Sequence, residues 1–146
     1  MTKQLDVTVS RTISASPEEV FDAWLDPEVP GTTWHDCEQL ILQPKVDGLF
    51  YHAVEHRDRL WSHYGRFIAL ERGRLIQHTW MSEATHGLES IVTIKLKPAG
   101  NGTEFVLTHT GLPDDEMGRS HETGWNYISS QLVEHFEKRH AKTSSN

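Results

Sequence analysis

Near residue 113 the chain changes its hydrophobic period, and that change constrains the fold more than any single motif. From residue 37 to residue 111, short segments alternate bulky and polar side chains between turn-forming pairs, the period of two that marks strands. Beyond it, Met117, His121, Trp125, Ile128, Leu132 and Phe136 recur at steps of four, four, three, four and four, one apolar stripe on a long helix. Asp114 and Asp115 open that helix as acids at the positive end of its dipole. Gly118 and Gly124 each cost a helix interior about 1 kcal/mol relative to alanine, so close packing or a bend is expected there.

The upstream part begins with a strand over residues 6–13, where Val7, Val9, Arg11 and Ile13 share one face. A helix follows, with Ser16 as its cap, Pro17 at its first position and Glu18 and Glu19 in its first turn; Val20, Phe21, Trp24 and Leu25 share a face and Asp26-Pro27 ends it. Residues 28–34 read as a turn or a second short helix. Strands are then expected over 38–43, 49–56, 60–71, 75–81, 88–97 and 103–110, with turns at Asp47-Gly48, Arg57-Asp58-Arg59, Arg72-Gly73-Arg74, a polar loop over 83–87, and a turn over 98–102. Strands joined by short turns make an antiparallel meander. The fold class is therefore α+β: a curved antiparallel sheet of six or seven strands around a long C-terminal helix, with one or two short helices after the first strand. One helix about 10 to 12 Å wide cannot cover such a sheet, so a cleft between them is expected.

With 146 residues the chain fits one domain, read as residues 1–140 with a polar tail over 141–146. Hydrophobic residues at 36% and charged residues at 24% place it in the ordinary globular class. A net charge of -7 argues against nucleic-acid partners, which need a basic surface. No apolar run is long enough for a membrane span, and the start, MTKQLDVTVSRT, has no apolar stretch like a signal peptide's, so a cytoplasmic location with no membrane partner is expected. The single cysteine, Cys37, has no internal disulfide partner.

The order SPEEVFDAW, DGLF, YGRFIAL, RLIQHTW, GTEFVLTHTGLP and HETGW resembles the START-like superfamily (SRPBCC), in a branch similar to the C-terminal domain of heat-shock-protein-90 ATPase activators. The resemblance implies a helix-grip fold, an internal cavity suited to apolar or aromatic ligands, and no cofactor. Two positions depart from the pattern: a turn usually written with two glycines reads Asp47-Gly48, and a proline usual between the fourth and fifth strands gives way to Arg72-Gly73-Arg74.

Alternation groups Phe105, Leu107 and His109 on one strand face, and likewise Val92, Ile94 and Leu96; Ile76, His78 and Trp80; Phe50, His52 and Val54. Trp125 and His121 lie one turn apart on the last helix. The candidate ligand-binding residues are Trp34, Phe50, His52, His78, Trp80, His109, His121 and Trp125, the tryptophans for stacking and the histidines for orienting a ligand hydroxyl or carbonyl. Each also has a structural reading: a buried histidine that bonds a backbone group, a tryptophan that fills the core. His52, His78 and His109 are a conceivable zinc set, but no short ligand spacing supports it, and no metal is expected. No nucleophile elbow, phosphate-binding loop or dinucleotide fingerprint occurs. The leading expectation is binding of a small hydrophobic or aromatic molecule by a monomer or homodimer. The alternatives are a cyclase, dehydratase or hydrolase using a cavity histidine, and a co-chaperone-like interaction module, although chaperone activators usually carry a further N-terminal domain for which 146 residues leave no room.

Overall fold

The period-two segments pair into one seven-stranded antiparallel sheet, and the last segment forms a helix packed across its concave face. The computed structural model describes residues 4–144, with side chains to Arg139. Its elements are β1 (Gln4–Ile13), α1 (Pro17–Trp24), β2 (Gln39–Leu42), β3 (Leu49–Glu55), β4 (Leu60–Glu71), β5 (Leu75–Ser82), a 3-10 turn (Glu83–Thr85), β6 (Ser90–Ala99), β7 (Gly102–Pro113) and α2 (Glu116–Ser144). The strand order is β1-β7-β6-β5-β4-β3-β2. β1 and β2 follow one another in the chain yet occupy opposite edges, so α1 and the turns after it must cross the end of the sheet.

α1 starts on a reciprocal cap. The Ser16 hydroxyl accepts from the Glu19 amide at 3.2 Å, and the Glu19 carboxylate accepts from the Ser16 amide at 3.2 Å. Val20, Phe21, Ala23 and Trp24 are buried, the Trp24 ring 5.6 Å from Phe105 and 6.3 Å from Trp125. Residues 28–34 form turns rather than a helix. Gly31, at φ 91°, lies so close to α2 that a Cβ would overlap the Leu132 backbone. This contact fixes the loop after α1 against the long helix.

The strand faces follow the expected alternation. Phe105, Leu107, His109, Val92, Ile94, Leu96, Ile76, His78, Trp80, Phe50 and His52 are all buried, and Val54 is partly so. On β1, Val7, Val9 and Ile13 are buried, while Arg11 on the same face donates to Asn126 Oδ1 at 2.8 Å and to Ser130 Oγ at 3.2 Å, tying the edge strand to α2.

Three local readings change. β6 runs through Pro98, which pairs with Thr103; β5 has ended opposite Lys95, so this part of β6 has one neighbour and a missing N–H is tolerated. α2 continues to Ser144, into the segment read as a polar tail, while residues 145–146 lie outside the described residues. Gly118 does meet close packing, since a Cβ would overlap the Pro113 carbonyl oxygen, but around Gly124 nothing lies within 4 Å. Where the resembled pattern has glycine, Asp47 itself takes φ 66°, with its carboxylate 2.8 Å from Arg66 Nη1. Among the described residues no helix is long and apolar enough to cross a membrane.

Candidate functional site

α2 packs against β1 and β7 at one side of the sheet and leaves the β2–β3–β4 side less covered, and the space left over is a cavity of about 670 Å³. That size lies within the range of small-molecule sites, roughly 300 to 1,000 Å³. His52 and Val54 on β3, Trp61 and His63 on β4 and Trp80 on β5 form its floor. The helix wall includes Met117, His121, Gly124, Trp125, Tyr127 and Ile128, and residues 31–33 with His35 close one end. Glu55 and His56 complete the rim, where Arg59 lies 4.2 Å over the Trp61 ring and is ion-paired with Glu83.

Two tryptophan–histidine pairs hold the floor and helix together. An indole N–H can only donate, so Nδ1 of His109 is the acceptor of the 2.9 Å bond from Trp125 Nε1. The His109 proton is then on Nε2, which donates to Ser90 Oγ at 2.7 Å, and that hydroxyl donates to the Trp80 carbonyl at 2.8 Å. In the second pair Trp80 Nε1 donates to His121 Nε2 at 3.3 Å, leaving His121 Nδ1–H to donate to the carbonyls of Met117 and Gly118 at 3.1 and 3.2 Å. Both rings are thereby fixed as neutral tautomers. Burial is the largest cause holding both His109 and His121 below the ordinary histidine value, and for His109 the nearby His121 and His78 add to it.

His52 and His63 differ from these. Their rings stack at 4.6 Å and 9° from parallel. His52 Nδ1 lies 3.6 Å from Cys37 Sγ, its Nε2 has no partner, and His63 Nδ1 has none either. Burial, then His63 and His78, push His52 far below its ordinary value; burial, then His121, bring His63 to about 4. Burial and then Asp36 raise Cys37 to about 11, so it remains a thiol near neutral pH, when a nucleophile would need the thiolate.

Of the eight expected site residues, His52, Trp80, His121 and Trp125 line the cavity. The other four stand behind the lining. Trp34 is 1% exposed and meets Phe50 edge-on at 4.9 Å, its Nε1 donating to the Trp24 carbonyl at 2.9 Å. Phe50 lies over Gly65, where a Cβ would overlap its ring. His78 donates from Nδ1 to the Thr79 carbonyl at 2.8 Å, and His109 is engaged as described. Among the described residues no group of three histidine, cysteine or acidic side chains is placed to hold a metal ion.

Sequence reasoning missed His63 and Trp61. They share the inward face of β4 with Phe67, but a register shift between Phe67 and Ala69 changes the phase, so Leu70 also points inward and the alternation breaks. It also missed Gly124, Tyr127 and Gln131, because a helix face that borders open space carries no apolar signature.

The sheet, the gripping helix and the cavity between them define a helix-grip protein of the START-like class. Residues 14–137 match the family model for Activator of Hsp90 ATPase homolog 1-like protein, and the chain belongs to that family. Protein CV1439 from Chromobacterium violaceum is similar in structure at 25% identity and a TM-score of 0.74, over 90% of this chain and 96% of that one. Protein Mll3558 from Rhizobium loti is similar at 19% identity and a TM-score of 0.75, over 92% and 99%. The Aha1 dimer from Colwellia psychrerythraea is similar at 15% identity and a TM-score of 0.67, over 91% and 96%. No curated protein matches the chain in sequence.

Proposed function

We propose that residues 1–140 act as one START-like domain that binds a small, mainly apolar or aromatic molecule between the sheet and α2, in the cytoplasm and as a monomer or homodimer. The observation that carries this reading is the cavity of about 670 Å³, walled by Trp61, Trp80, Trp125, Tyr127 and Ile128 with a few buried polar atoms among them. Large aromatic surface with sparse polar groups is the usual composition of a small-molecule site. The histidines suit hydrogen bonding to a ligand more than proton transfer near neutrality, because a general base works best with a pKa near the working pH. The test is native mass spectrometry of freshly purified protein beside its denatured mass, with thermal-shift screening against aromatic and lipid-like compounds. A copurified mass or an upward shift supports the reading, since a ligand at a hundredfold excess over its Kd stabilises by about 2.7 kcal/mol. Silence in both overturns it.

The family description favours a second reading, activation of a chaperone ATPase through the protein's surface. Stimulation of Hsp90 ATPase activity by the purified chain supports it, and an unchanged rate removes it.

A further inference from the structure

The cavity's polar atoms are not equivalent. His109 and His121 use both ring nitrogens on Trp125, Ser90, Trp80 and helix carbonyls. His52 does not. It is 2% exposed, lines the floor, turns Nδ1 to Cys37 Sγ at 3.6 Å and leaves Nε2 without a partner. His63 stacks on it at 4.6 Å and leaves Nδ1 without a partner. Buried polar atoms are normally paired. Among the described residues Trp24 Nε1, His78 Nε2 and Ser129 Oγ are unpartnered as well, but only His52 and His63 also line the cavity, and there two orphans on adjacent rings mark a place where a partner is missing.

The chemistry of that partner follows from charge. Among the described lining residues there is no lysine or arginine, and Glu55 is the one carboxylate. Burial keeps both imidazoles neutral near neutral pH. The guanidinium at the rim, Arg59 over Trp61, is already ion-paired with Glu83, so an anionic ligand group beside His52 would find no free countercharge and would lose its hydration. A hydroxyl fits either tautomer of His52, donating to a bare nitrogen or accepting from an N–H. Trp61, Trp80 and Trp125 supply aromatic faces beside it.

We infer that the His52–His63 pair is the polar anchor of the cavity and that its ligand is an uncharged aromatic compound carrying a hydroxyl group. This rests on the reading of the cavity as a ligand site. The full-length chain is titrated calorimetrically near neutral pH with three probes substituted at the same ring position: naphthol, its methyl isostere methylnaphthalene, and naphthoate. Naphthol is expected to bind about tenfold more tightly than either of the others, the factor that one net hydrogen bond supplies. In His52→Phe the preference for naphthol over methylnaphthalene falls to near one. Wild-type protein alone is decisive even where that variant fails to fold. Equal binding of naphthol and methylnaphthalene, or tighter binding of naphthoate, overturns the anchor and leaves the cavity site standing. Binding of none of the three overturns both. Persistence of the full preference in a folded His52→Phe protein overturns the assignment to this pair.

Discussion

The hydrogen-bond path from Trp125 through His109 and Ser90 to the Trp80 carbonyl joins α2 to three strands with side chains from α2, β7 and β6. Its members are buried, so each loses water on folding and depends on the next. Ser90→Ala strands the His109 Nε2–H, removes the hydroxyl bond to the Trp80 carbonyl and is expected to cost about 1 to 3 kcal/mol; His109→Phe strands the Trp125 indole and is expected to cost a similar amount. Because the two changes break one path, urea denaturation of the double variant should show a loss smaller than the sum of the singles by about 1 kcal/mol or more. Strict additivity would refute a shared network. Gly65 provides a second test. A methyl group there would overlap both the Phe50 ring and the Thr79 carbonyl oxygen, and backbone cannot yield as a side chain can. Gly65→Ala is therefore expected to lower stability by about 2 kcal/mol or more, and an unchanged melting temperature would show that Phe50 repacks freely.

α2 carries two glycines with opposite meanings. At Gly118 the helix start is pressed against the end of β7, and Asp115 caps it, its carboxylate accepting from the Gly118 amide at 2.8 Å. At Gly124 nothing lies within 4 Å, and the residue borders the cavity. Helix propensity then acts without packing to oppose it. Gly124→Ala is expected to stabilise by about 1 kcal/mol, whereas Gly118→Ala should destabilise despite the same gain in propensity. Thermal melts of the two variants check this, and shifts of the same sign would contradict the difference in packing.

The whole molecule buries an unusual number of neutral imidazoles, and this couples stability to pH. His63 and His78 are brought from the ordinary 6.5 to about 4, chiefly by burial, and His52 and His109 lie well below 6.5 for the same first cause. A histidine depressed in the fold takes up its proton in the unfolded chain first. Its contribution is whole above the unfolded value and is lost as pH falls through 6.5 toward the folded value. Between about pH 7 and pH 5 each of His63 and His78 should lower stability by about 2 kcal/mol, a sizeable part of the 5 to 15 kcal/mol typical of a domain. Urea midpoints measured across that interval should fall steeply. A flat profile would mean that these rings are hydrated in solution.

The order and type of the elements, the cap at Ser16, the acidic start of α2 at Asp114 and Asp115 and the inward faces of β3, β5, β6 and β7 could be read from the amino-acid sequence, because each depends on residues a few positions apart; that Asp115 caps Gly118 came from the structure. Resemblance across short motifs was likewise enough to place the chain in its superfamily. The site was legible only in part. His52, Trp80, His121 and Trp125 could be read from alternation and helical spacing, but not the bonds among them: Trp125 meets His109, Trp80 meets His121 and Cys37 meets His52 only because α2 and the loop before β2 settle on the sheet. The inward turn of His63 and Trp61 waited on the register shift in β4, and the open space beside Gly124 on where α2 leaves the sheet uncovered. Local pattern reports what a residue does to its own element. Which buried atoms find partners, and which are left facing a cavity, is set by packing between elements distant in the chain.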